Sequence, residues 1–177
     1  MRKWTTLVVL VTLVGLGAWA DIDRGTGDPA NASLGVTVGW NANNWVIIYI
    51  PAADMSVDLG TVDGSLYDPG TGTWTPLTSG GHSVYMVTNN PAGLQLQVSG
   101  TLTSYPSGHP NPTGILGRLT LTSTTLGLSG ALSGTLTYST AGPGLASATD
   151  LLYTFTPSFD DVPGNYAVTV TYTVTTR

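Results

Sequence analysis

The residues able to do chemistry are few and of few kinds. The 177-residue chain has ten carboxylate side chains, and all ten are Asp; it has two His and no Cys. The absence of Cys removes thiolate nucleophiles and thiolate metal ligands. Acid–base hydrolysis usually takes a pair of carboxylates, one with a raised pKa. The clearest carboxylate group is Asp58, Asp63 and Asp68 in the turn-rich stretch DLGTVDGSLYD. Their wide spacing is not that of an EF-hand loop, whose ligands alternate closely. They are the candidate Ca²⁺ ligands. The competing reading, which the sequence favours, is turn formation, because Asp-Gly and Asp-Pro are strong turn formers. Asp160-Asp161 ahead of Val162-Pro163-Gly164 takes the turn reading too, as do Asp21, Asp23 and Asp28. No metal and no other cofactor is expected.

His82 and His109 both stand beside Gly or Pro in predicted loops. Neither belongs to an H-x-H or H-x-x-x-H pair of the kind that grips zinc. The chain has no G-x-S-x-G elbow to present a nucleophilic serine and no G-x-G-x-x-G phosphate cradle. Aromatic rings are the remaining candidates. Trp40, Trp45, Trp74, Tyr67, Tyr85 and Tyr105 could stack on sugars. Trp74, with Tyr67, is the best placed of them, because it lies in a Gly/Thr/Pro stretch. The alternative is that these rings anchor a core.

The charge inventory narrows the partners. The only Lys is Lys3, and beyond residue 20 the cations are Arg24, Arg118 and Arg177. Phosphate binding needs clustered Lys and Arg, so nucleic acid is not an expected partner. Without Lys in the body of the chain, Lys–Asn isopeptide cross-links are excluded. Few charges beside many Thr, Val and Leu do not match disorder. That composition favours strands over helices.

The elements that must carry these residues are strands. Tyr166, Val168, Val170, Tyr172 and Val174 alternate with Ala167, Thr169, Thr171, Thr173 and Thr175, giving one apolar and one hydroxylated face. Leu34, Val36, Val38 and Trp40 alternate likewise. The continuous apolar run 45–50 predicts a strand buried on both faces. Further strands are expected at 55–59, 83–88, 94–99, 118–123, 131–139 and 151–156. Residues 67–81 and 105–113 read as loops, the latter through its three prolines. The best helical window, 145–152, is short and flanked by Gly144 and Thr154. The expected fold is an all-β antiparallel sandwich, Ig-like or jelly-roll, of about 8–10 strands.

The N-terminus predicts export. Arg2 and Lys3 precede an apolar stretch from Leu7 to Leu16, and Ala18-Trp19-Ala20 supplies the small residues that signal peptidase requires. The expected organisation is a signal peptide at 1–20, a flexible segment at 21–33 and one domain at 34–177. An uncleaved anchor is the alternative, though the apolar run is shorter than the roughly 20 residues of a membrane span. Disulfide stapling is ruled out by the lack of Cys. No membrane association is expected after cleavage.

Three local stretches carry a family resemblance. They are Asp58-Leu59-Gly60-Thr61-Val62, Val87-Thr88-Asn89-Asn90-Pro91-Ala92-Gly93-Leu94, and Pro163-Gly164-Asn165-Tyr166 leading into the last strand. In these the chain resembles bacterial secreted Ig-like surface and fibre subunits of the WxL, camelysin/TasA and spore-coat-U/fimbrial types. The resemblance implies a non-enzymatic subunit outside the cytoplasmic membrane, in the extracellular space, at the cell surface or in the periplasm. From the residues, the candidate donor strand for self-association into an oligomer or fibre is Leu34, Val36 and Val38, which follow a Gly- and Asp-rich segment. A carbohydrate- or cell-wall-binding module using Trp74 and Tyr67 is the second reading, and an Asp-based hydrolase the third.

Overall fold

The computed structural model describes residues 42–177. The predicted signal peptide, flexible segment and strand at 34–40 lie outside the described residues. Eleven strands run in chain order: β1 (Val46–Tyr49), β2 (Tyr67–Asp68), β3 (Thr73–Trp74), β4 (Leu77–Thr78), β5 (His82–Thr88), β6 (Leu94–Ser104), β7 (Leu119–Ser123), β8 (Leu128–Ala131), β9 (Leu136–Ser139), β10 (Gly144–Phe155) and β11 (Ala167–Thr176). One sheet has the order β1-β5-β10-β7-β8, with β4 beside the second half of β10. The other has the order β11-β6-β9, and β2 and β3 form a separate hairpin. Every pairing is antiparallel. The two larger sheets face each other as a β-sandwich, the expected fold class.

Alternation decides which residues make the core. Leu94, Leu96 and Val98 of β6 point inward and are fully buried. They meet Val84 and Met86 of β5, Leu121 of β7, and Ala148, Leu151 and Tyr153 of β10. Val168, Val170, Tyr172 and Val174 of β11 pack against this cluster, while Thr169, Thr171, Thr173 and Thr175 face out. From Val168 onward the C-terminal strand therefore matches its sequence pattern, while Tyr166 stands before the strand and packs against His109.

Four expectations fail locally. The run 45–50 is not buried on both faces. β1 pairs only with β5 among the described residues and sits at the sheet edge, so Ile47 is 55% and Tyr49 59% exposed. Residues 55–59 are not a strand. A 3-10 turn (Ala52–Asp54) precedes them, the Asp58 carboxylate accepts from the Gly60 N–H, and Val57 and Leu59 still pack on the core. The expected strand 131–139 is two strands in different sheets, because the chain crosses between sheets at Leu132, Ser133 and Gly134. The 67–81 stretch, expected as loop, also holds the short β2, β3 and β4. The best helical window lies inside β10; the one α-helical turn among the described residues is α1 (Ile115–Arg118).

One hydrogen bond ties the sheets together inside the core. The Tyr153 and Tyr172 hydroxyls, from β10 and β11, lie 2.6 Å apart. Burial pushes the pKa of both above the ordinary tyrosine value; the mutual hydrogen bond lowers that of Tyr153 and raises that of Tyr172 further. A tyrosine kept neutral in this way stabilises the fold below about pH 10, and the contribution falls as pH rises beyond that. Replacing Tyr172→Phe leaves the Tyr153 hydroxyl unpartnered and is expected to cost about 1–2 kcal/mol. Chemical denaturation checks this, and the double Phe variant should cost less than the two single variants added together.

Candidate functional site

The edge position of β1 leaves an apolar groove at one side of the sandwich. β1 ends one sheet and β11 ends the other, and among the described residues neither has a second strand partner. Their inward-facing residues meet across the open side of the sandwich. Ile48, Ile50, Met55, Val170, Thr171 and Tyr172 line a groove there of about 380 Å³. Met55 at its rim is 75% exposed. The lead-in to β1 is held straight by Asn89, whose carboxamide accepts from the Trp45 N–H and donates to the Asn43 carbonyl. A sheet edge with free N–H and C=O groups beside an apolar groove is a template for one more strand.

A second feature gathers aromatic rings. The turn Asp68-Pro69-Gly70-Thr71-Gly72 closes the β2–β3 hairpin and sets Tyr67 directly opposite Trp74. Their ring centroids lie 5.2 Å apart. Phe159, from the loop before β11, completes the cluster edge-on, 4.9 Å from Tyr67 and 5.3 Å from Trp74. The structure thus brings both candidate stacking residues together and adds a third ring that the sequence did not single out. Tyr67 and Trp74 are half-buried, whereas Phe159 is 75% exposed. Trp45 immediately precedes β1, Tyr85 lies on β5 opposite Tyr49, and Tyr105 follows β6.

The three candidate Ca²⁺ ligands are each engaged in their own turn. Asp58 accepts from Gly60 N–H, Asp63 from the Ser65 N–H and hydroxyl, and Asp68 from Gly70 N–H and the Thr71 hydroxyl. The Ser65 hydroxyl, with its backbone N–H, holds Asp63 below the usual carboxylate range, and the Thr71 hydroxyl does the same for Asp68. Among the described residues no group of three or more His, Asp or Glu is gathered in metal-binding geometry.

The remaining ionisable groups build struts. Asp161 is buried and takes a two-pronged ion pair from Arg118, at 2.6 and 2.7 Å. The Ser158 N–H and His109 Nε2 face the same carboxylate, the latter at 3.4 Å. His109 is buried; its Nδ1 accepts from the Asn111 N–H, which leaves the ring proton on Nε2. Arg118 also donates to the Thr156 carbonyl and lies over the Phe155 ring. Asp161 is thus more than the turn former expected from its neighbours, although its N–H does close a turn to Ser158. Asp54 accepts from the Ser83 N–H and lies 3.4 Å from His82 Nδ1, pinning the segment after β1 to the start of β5. The Ser83 N–H leads the effects that hold Asp54 below its ordinary pKa. Asp150 holds the turn after β7 through the Ser123 hydroxyl and both donors of Thr125.

Asp54, Asp63, Asp68, Asp150 and Asp161 are each matched to backbone N–H groups, hydroxyls or Arg118, and each is held below the usual carboxylate range, an arrangement that suits positioning better than proton transfer. No protein-family model matches the chain, and a search of curated proteins finds no match.

Proposed function

We propose that the protein is a secreted, non-enzymatic surface or structural subunit that associates with itself by strand donation. In this reading the segment around Leu34, Val36 and Val38 of one copy adds to the free edge of β1 in the next. Its alternating side chains enter the groove beside β11. The observation that carries the reading is that β1 and β11, edge strands among the described residues, flank an apolar groove.

Register decides which face a donated strand presents. Val46 and Ile48 of β1 face inward, opposite Thr88 and Met86, and Trp45, Ile47 and Tyr49 face outward. Leu34, Val36 and Val38 enter the groove only when they pair opposite Val46 and Ile48, because a one-residue change of register flips every side chain.

Size-exclusion chromatography with light scattering, and negative-stain microscopy, test the reading on the purified protein. The expected result is concentration-dependent oligomers or fibres. Val36→Asp should leave a monomer with unchanged circular dichroism, since an unpaired charge cannot enter an apolar groove. A strict monomer at every concentration overturns the proposal.

A further inference from the structure

The Tyr67–Trp74–Phe159 cluster is a different surface from the strand edge, and it combines exposure with rigidity. Phe159 is 75% exposed, yet the residues on either side of it are tied down. The Ser158 N–H donates to Asp161 Oδ2 at 2.8 Å, the Asp160 N–H to Ser158 Oγ at 3.2 Å, and the Asp161 N–H to the Ser158 carbonyl at 3.2 Å. The Asp161 carboxylate that organises this loop is itself 4% exposed and clamped by Arg118. A buried ion pair is a costly way to hold a loop for stability alone. Here its result is a phenylalanine fixed in solvent, edge-on to a cross-strand Tyr–Trp pair.

The chemistry around the rings selects the ligand. Asp160, adjacent to Phe159, is an exposed hydrogen-bonding group. Among the described residues the only Arg or Lys side chains are Arg118, which is engaged by Asp161, and Arg177, which lies by Thr140. The rim is therefore acidic, with no free cation beside it among the described residues, and it repels anionic polymers. Aromatic ring faces carry negative charge density and attract the C–H-rich faces of sugar rings. A patch of three rings falls well below the roughly 800 Å² per partner of a stable protein interface.

We propose that Phe159, Trp74 and Tyr67 form a binding site for a neutral polysaccharide, with Phe159 as the outermost stacking ring and Asp160 as a partner for sugar hydroxyls. The site is independent of the assembly edge, so either proposal can fail alone. Retention of the purified protein on microcrystalline cellulose, chitin and insoluble β-glucan tests it, with alginate as the anionic counterpart. The protein should be retained on at least one neutral polymer. Phe159→Ala should weaken that retention about tenfold at an unchanged melting temperature. Trp74→Phe, which keeps a ring and spares the hairpin, should retain most of it. Tyr105→Ala, an exposed ring on another loop, should change nothing. Absence of retention on all three neutral polymers, unchanged retention of Phe159→Ala, or stronger binding to alginate overturns the proposal. A loss of self-association in Phe159→Ala at unchanged retention overturns it too, and assigns the patch to a second copy.

Discussion

Asp161→Ala is expected to destabilise the protein by about 2 kcal/mol, because it removes a buried carboxylate and leaves the half-buried Arg118 and two further donors without their acceptor. Arg118 would keep only the Thr156 carbonyl and the Phe155 ring. His109 Nε2 and the Ser158 N–H would lose their acceptor in the same step. The double replacement Arg118→Met with Asp161→Leu should cost clearly less than Asp161→Ala, since it leaves no buried charge. Urea denaturation of the three proteins measures this. A pH series adds a second readout. Burial alone would raise the Asp161 pKa, but the Arg118 hydrogen bonds, the Ser158 N–H and the Arg118 charge outweigh it and hold the carboxyl below its ordinary value. For a depressed pKa the stabilisation is complete above the unfolded value of about 3.9 and is lost as pH falls through the folded value. The native protein should therefore lose stability below about pH 4, and the double variant should lose less.

Gly93→Ala should cost about 3 kcal/mol or more, for two reasons that act together. Gly93 has φ +89°, in the left-handed region that favours glycine. A Cβ there would also overlap the Thr140 carbonyl oxygen and lie 2.8 Å from its carbonyl carbon. Thr140 cannot retreat easily. Its N–H donates to the Leu94 carbonyl at 3.0 Å, and its hydroxyl accepts from the Leu94 N–H at 3.1 Å. The turn at Gly93 carries the chain from β5 in one sheet to β6 in the other, so displacement would pass directly to the core residue Leu94. Gly127→Ala is the comparison that separates the two effects. Gly127 has φ +61°, and a Cβ added to it would meet nothing within 4 Å. Its replacement should cost only the conformational share, about 1 kcal/mol. Thermal melts of the two variants side by side give the difference directly.

Legibility in the sequence followed the range of the interaction. Leu94, Leu96 and Val98 alternate with polar residues, and they are the buried side of β6. The same pattern located β11, because one wet face and one dry face impose a period of two on the residues themselves. The run 45–50 has no period, and an unbroken apolar run reads the same whether its outer face is covered by protein or open to solvent. Its edge position depends on which strands lie beside it. The stretch 131–139 read as one strand because a sheet crossing at Leu132, Ser133 and Gly134 leaves the apolar pattern nearly intact. For the candidate sites, Trp74 was accessible because it stands in a Gly/Thr/Pro stretch; its pairing with Tyr67 was not, since 67–81 read as loop. Phe159 was not, since nothing local announces a ring that packs on a hairpin far away in the chain. Arg118 held the best signal for the buried network, as a lone charge at the start of an apolar alternating stretch.

The sequence alone determined the material of this protein: an antiparallel β-sandwich with no cysteine staples, few cations, and carboxylates suited to turns. Those properties follow from residue type and nearest-neighbour spacing, which act through local backbone preference and the two-sidedness of a strand. Only the tertiary structure decided which strands stand at the sheet edges among the described residues, which two apolar strands framed a groove, and which rings met. It also turned Asp161 from a turn former into a buried anchor. These outcomes arise from contacts between residues far apart in the chain, and burial there depends on what the opposing sheet presents.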